Sequence, residues 1–221
     1  MELSSLTPGA VIAMVVGLSM APFVAVMVTS FTKIVVVLSL LRNALGLQQV
    51  PPNVVINGLA IILSIYVMYP VMLETNRLVT DSPIYRSDEG MTLDSMVSLA
   101  QESKEPLKSF LIKHSSDTER AFFLSTARYL LPDNRKGEVS ENDFIVIIPA
   151  FTVSELTAAF QIGFLIFLPF LVIDLLVSNL LLALGMMMMP PSMISLPFKL
   201  LLFVAVSGWT QLVHGLVATY V

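Results

Sequence analysis

Leu184-Gly185-Met186-Met187-Met188-Met189-Pro190-Pro191 sets four methionines between a glycine and a proline pair. Successive helical residues point about 100° apart, so four in a row cannot all face one neighbour, and two prolines cannot continue a regular helix. The stretch therefore reads as a helix end or turn. Methionine is unbranched and polarizable, and it fills irregular gaps and repacks when displaced. Two readings stay open: ordinary lipid-facing or core methionines, or a soft seal.

N-terminal to the turn lies the longest apolar run, 144–189, whose 46 positions would measure about 69 Å as one straight helix. That is more than twice the ~30 Å hydrocarbon thickness, so the run is expected to bend at Pro149, Gly163 or Pro169. The expected result is a helical hairpin whose second arm leads into the methionines. C-terminal to the turn, the last run, 193–221, carries Pro197, Lys199, the single Trp209 and His214.

The rest of the chain repeats this character at its other end. Run 10–41 is interrupted by Pro22 and Lys33, too long for one simple span and too short for two, and a kinked helix or a hairpin near Pro22 fits it. Arg42-Asn43-Ala44-Leu45-Gly46-Leu47-Gln48-Gln49-Val50-Pro51-Pro52 reads as a connector, in which Arg42, Gln48 and Gln49 are the polar candidates. Run 54–73 has no charge and ordinary transmembrane length. With 56% hydrophobic residues and a mean hydropathy of +0.84, the composition is that of a membrane protein.

Between the two apolar halves lies a segment of different character. Residues 74–143 hold nine Lys/Arg and thirteen Asp/Glu, so the formal net charge of −4 belongs to this segment alone. Ser116-Asp117-Thr118-Glu119 has capping-box spacing, and Phe123, Ala127 and Leu130 follow on one helical face that ends before Pro132. A weaker helix is expected over 93–105, a short one over 107–114, and Ser140-Glu141-Asn142-Asp143 opens the long apolar run. So few large apolar residues make a small helical cap, not a catalytic domain. The chain thus divides into apolar helices (1–73), a hydrophilic helical segment (74–143) and an apolar hairpin, methionine turn and last helix (144–221). The fold class is all-α, of membrane type.

Several function classes fall away. The basic residues form no cluster, so nucleic acid is not an expected partner. The absence of cysteine removes disulfides, thiolate nucleophiles and thiolate metal ligands. His114 and His214 have no Asp or Glu at ligand spacing, and no phosphate loop, HExxH pair or GxSxG elbow occurs. Neither metal nor cofactor is expected, and the chain does not read as an enzyme. No Lys or Arg precedes Lys33, so the start lacks the positive region of a signal peptide and the first apolar segment is expected to be retained. Arg42 and Lys199, beside the two short turns, orient those turns to the cytoplasm by the positive-inside rule, with the hydrophilic segment and both termini outward.

Lys33, Glu155 and Asp174 stand inside apolar runs, where an unpaired charge costs from about 3 kcal/mol upward. They pair across helices or subunits, face a wet lumen, or belong to helices covered by protein. A hairpin at Gly163 would bring Glu155 and Asp174 to one depth. A structural ion pair with Lys33 outweighs a proton relay.

Ser30-Phe31-Thr32-Lys33, the stretch from Leu40-Leu41-Arg42-Asn43 through Gln48-Gln49-Val50-Pro51-Pro52-Asn53, Phe151-Thr152-Val153-Ser154-Glu155-Leu156, Leu168-Pro169-Phe170-Leu171-Val172-Ile173-Asp174-Leu175 and Leu184-Gly185-Met186-Met187-Met188-Met189 together resemble the FliP/SctR family of type III secretion export-apparatus proteins. The resemblance covers both apolar halves but not 74–143. Flagellar members commonly carry an extra N-terminal signal sequence, so this chain resembles the injectisome branch (SctR, also YscR, HrcR or SpaP) more closely.

The resemblance implies a bacterial inner-membrane export gate. In it, several copies of this chain join SctS/FliQ-type and SctT/FliR-type subunits, beside SctU- and SctV-type proteins, in a helical pore for unfolded secreted proteins. It implies that much apolar surface is buried between subunits on the periplasmic side, the remainder meeting membrane lipid. It implies too that Met186, Met187, Met188 and Met189 form a gasket, while Lys33, Glu155 and Asp174 fix register. A proton- or cation-coupled secondary transporter using Glu155 and Asp174 is the alternative, although no internal repeat supports it. A membrane-bound enzyme is a third reading, with no catalytic constellation to carry it.

Overall fold

A computed structural model describes residues 8–47, 49–82, 101–186 and 188–221. The described residues form α-helices α1 (Pro8–Met27), α2 (Phe31–Ala44), α3 (Asn53–Asp81), α4 (Glu105–Lys113), α5 (Asp117–Leu130), α6 (Phe144–Ala183), α7 (Pro191–Ala205) and α8 (Gly208–Ala218). A 3-10 turn, Asp133–Glu138, follows α5. The chain is all-α and of membrane type. Among the described residues, α3 and α6 are long and apolar enough to cross a membrane, and each of the bent pairs α1–α2 and α7–α8 qualifies if counted as one span.

Helix α2 is the hub. Ile34, Val37, Leu38, Leu41 and Ala44 are buried at helical spacing and form one stripe that α3 and α6 cover. Around its start, Val28, Met68, Phe110, Leu111, Ile147, Phe151 and Tyr220 bring together α3, α4, α6 and the segment after α8. Around its end, Leu41, Ala44 and Leu45 meet Phe170 and Phe203.

The expected hairpin, with its bend at Pro149, Gly163 or Pro169, does not occur. Helix α6 runs unbroken for 40 residues, about 60 Å, through both Pro149 and Pro169. Each proline removes one intrahelical hydrogen bond, and the continuing helix absorbs that loss. Gly163 serves close approach instead: a Cβ there would lie 2.2 Å from Leu40 Cδ1 and 3.1 Å from Leu40 Cβ, so α2 crosses α6 where side-chain bulk is missing. The reversal falls at the methionine turn, where α7 folds back on α6. Pro22 likewise lies inside α1, and the chain turns by 61° at 28–30 rather than at the proline.

Two helices end alike. Gly185 (φ +73°) donates its N–H to Leu182 at 3.1 Å and Met186 donates to Leu181 at 2.9 Å; Gly46 (φ +73°) and Leu47 repeat the pattern on Asn43 and Arg42 at 3.0 and 3.3 Å. This is the Schellman arrangement, which needs a left-handed residue and so favours glycine. The methionine turn and the α2–α3 connector are thus sharp, defined exits.

In the hydrophilic segment, α5 begins at Asp117, as the Ser116 signal indicates, without the reciprocal capping box. Ser116 N–H donates instead to Ser154 Oγ on α6 at 2.9 Å, tying the segment to the bundle. The helix expected over 107–114 appears as α4, while most of that expected over 93–105 lies outside the described residues. Helix α3 continues eight residues beyond its apolar run to Asp81, its last turns bridged by Arg77 to Glu74 and Asp81 at 3.9 and 3.7 Å.

Candidate functional site

Two buried charge centres lie along α6. In the first, Lys33 of α2 donates to Glu155 Oε1 at 3.0 Å, with the side chains only 4% and 3% exposed. The Tyr220 hydroxyl donates to Glu155 Oε2, and the Lys33 ammonium sits 3.7 Å from the Tyr220 ring centre. One carboxylate therefore has a partner on each oxygen, which is how a buried charge avoids the several kcal/mol cost of lost water. Close by, Ser30 Oγ donates to Ser64 Oγ at 3.2 Å, joining α3 to the start of α2.

The hydrophilic segment reaches this centre through His114, whose ring lies 4.7 Å from that of Phe110 and 5.1 Å from that of Tyr220. Burial, then the nearby Lys33 and Lys113 charges, lower its pKa to about 4, so the imidazole is neutral at pH 7. Its role is packing. No metal-ligand set accompanies it among the described residues.

In the second centre, Lys199 of α7 donates to Asp174 Oδ2 at 2.6 Å and to the Ala44 carbonyl at 3.1 Å, and Ser195 Oγ donates to Asp174 Oδ1 at 2.6 Å. Lys199 is 5% exposed and the Asp174 side chain 32%. Asp174 thus pairs with Lys199 and not with Lys33. Because α6 is continuous, Glu155 and Asp174 stand 19 residues, about 28 Å, apart and form separate sites. Sequence reasoning missed Lys199 as a partner and did not weigh Tyr220 or Ser195. One signal was present: Asp174 and Lys199 flank the methionine turn at similar distances, so a hairpin reversing there brings them to similar depth.

The remaining candidates take different positions. Arg42 Nη1 donates to Pro51 O at 3.3 Å and Asn53 Oδ1 at 2.6 Å, closing its own connector, so both cations that orient the chain by sequence are engaged within the fold. Gln49 is exposed at φ 63°, and Gln48 lies outside the described residues. At the methionine turn Met186 and Met189 are 41% and 42% exposed and Met188 fully so, while Met187 lies outside the described residues. Apolar exposure extends along α1 and along α6, where only 17% of the most apolar window is buried.

Long apolar helices, internal charges neutralised by one another and an apolar exterior define an all-α membrane protein. The FliP family model matches residues 14–216, and the chain belongs to that family. It is 48% identical to the hypersensitivity response secretion protein HrcR of Ralstonia nicotianae over 95% of each chain. It is 49% identical to Yop proteins translocation protein R of Yersinia pestis over 92% of each. The flagellar biosynthetic protein FliP of Bacillus subtilis is 41% identical, over 91% of this chain and 87% of that one.

Proposed function

We propose that this chain is a non-enzymatic core subunit of a type III secretion export gate in the bacterial inner membrane. Several copies assemble with SctS/FliQ-type and SctT/FliR-type subunits, beside SctU- and SctV-type proteins, into a pore for unfolded secreted proteins, with much of the assembly on the periplasmic side. The secretion and translocation names of its relatives support export, and the higher identity to HrcR and to the Yersinia protein than to flagellar FliP favours injectisome use.

The observation that carries the pore reading is the methionine turn: Met188 is wholly exposed at the tip of a hairpin whose two arms are locked together by Asp174 and Lys199. Soft thioether side chains held out from a firm support can close against their counterparts in sister copies and part for a chain of any sequence. Apolar surface left along α1 and α6 supplies area for sister chains and lipid. A transporter using Glu155 and Asp174 is less well supported, since each carboxylate is committed to a lysine.

Replacing Met186, Met187, Met188 and Met189 by alanine in the assembled complex tests the reading. Small dyes and ions are expected to leak while export continues. An intact permeability barrier in that variant would remove the gasket.

A further inference from the structure

Three elements meet at Lys199: Asp174 of α6, the C-terminal carbonyl of α2 at Ala44, and α7 itself. Ala44 O is one of the terminal helix acceptors that lack an intrahelical partner, and a cation is favoured there by the helix dipole. A Cβ on Gly46 would lie 4.0 Å from the same ammonium, so the connector's glycine exit also rests against it. Beyond this point the connector and the start of α7 separate around a cleft of about 1340 Å³, lined by Arg42, Asn43, Gly46, Gln49, Ser192 and Met193. Beside this cleft, one buried ammonium joins the end of α2 to α7.

We infer that Lys199 is a positioning residue: its bond to the Ala44 carbonyl, beyond its ion pair with Asp174, holds the methionine turn at a set distance from the α2–α3 connector. The ion pair fastens α6 to α7 and would hold the hairpin alone. The second bond adds a directional polar tie between the end of α2 and α7, beside the apolar packing of Leu41, Ala44 and Leu45 on Phe170 and Phe203. The role rests on the export-gate reading for its consequence, a closed seal, but the distance itself does not.

The chain contains no cysteine, so paired spin labels at Asn43→Cys and Ser192→Cys report this separation without competing thiols. Both positions are exposed. In assembled complex diluted with unlabelled chain, the parent is expected to give one narrow distance. Lys199→Met, which keeps the stem and removes the donor, should at least double the width and raise dye leakage several-fold. Asp174→Asn removes the charge but leaves the amine on Ala44, and the narrow distance should persist. An unchanged width in Lys199→Met, or widening or failed assembly in Asp174→Asn, overturns the proposal. If Lys199→Met does not assemble, Asp174→Asn decides alone. Should the four-methionine alanine variant fail to leak, the gasket reading falls while the label distances still judge the positioning role.

Discussion

Asp174 and Lys199, 25 residues apart in sequence, meet at 2.6 Å across the methionine turn because the two helices that carry them fold back with arms of nearly the same length. Asp174→Ala would leave the buried ammonium without a counter-charge, held by the Ala44 carbonyl alone, and Ser195 Oγ with only the Ser192 carbonyl. Breaking a fully buried pair costs about 3–5 kcal/mol, and the 32% exposure of Asp174 places this loss below that range. The expected outcome is reduced recovery of the multi-subunit complex with unchanged substrate choice. Normal assembly with selective loss of some substrates would contradict it.

The Lys33–Glu155 pair is more deeply enclosed, and removing one member is the harsher change. Lys33→Met leaves a carboxylate 3% exposed with Tyr220 as its remaining donor, a loss of about 3–5 kcal/mol. The double variant Lys33→Met with Glu155→Gln removes both charges and keeps an acceptor for Tyr220, so it should regain most of the stability, measured as the melting temperature of detergent-purified protein. Export should return with it. If the double variant assembles normally yet exports nothing, the pair carries protons and is not structural.

These centres also mark what sequence could reveal. Helix existence was legible from apolar runs, and the start of α5 from the polar signal at Ser116, because local periodicity and backbone preference act within a few residues. Which helix meets which was not. Lys33 and Glu155 are 122 residues apart; the cost of a charge in an apolar run points to an ion pair with Lys33, but nothing decides between Glu155 and Asp174 as its partner, and nothing points to Tyr220. Gly163 reads as a bend because a glycine in a 46-residue apolar run is most simply a break; its function, admitting Leu40, belongs to a helix crossing that only the fold defines. Asp174 and Lys199 were within reach, since the methionine stretch between them already reads as a turn.

The His114 imidazole predicts a pH dependence. Its pKa lies at about 4 in the folded chain against 6.5 ordinarily, so between these values the unfolded chain binds more protons. Stability therefore falls as pH drops from about 6.5 towards 4, levels off below that, and does not change through this group above 6.5. The charged groups around it are Lys33, Lys113 and, through Tyr220, Glu155. His114→Gln cannot gain the proton and should flatten the melting-temperature profile across this window. A profile as steep as the parent's would assign the acid sensitivity to other groups.

The α2–α6 crossing gives the sharpest packing test. Alanine at 163 would gain about 1 kcal/mol over glycine from helix propensity alone. Its Cβ would also fall 2.2 Å from Leu40 Cδ1 and 3.1 and 3.2 Å from Leu40 Cβ and Cγ, and rotation of the leucine tip relieves only the first of these. Overpacking of this kind costs about 1–3 kcal/mol, so Gly163→Ala should be neutral to destabilising where propensity predicts a gain. In a Leu40→Ala background the obstruction is gone, and the same change should raise the melting temperature. Equal effects in both backgrounds would mean that the two helices do not approach as closely as the fold requires, since independent sites add and only touching ones couple.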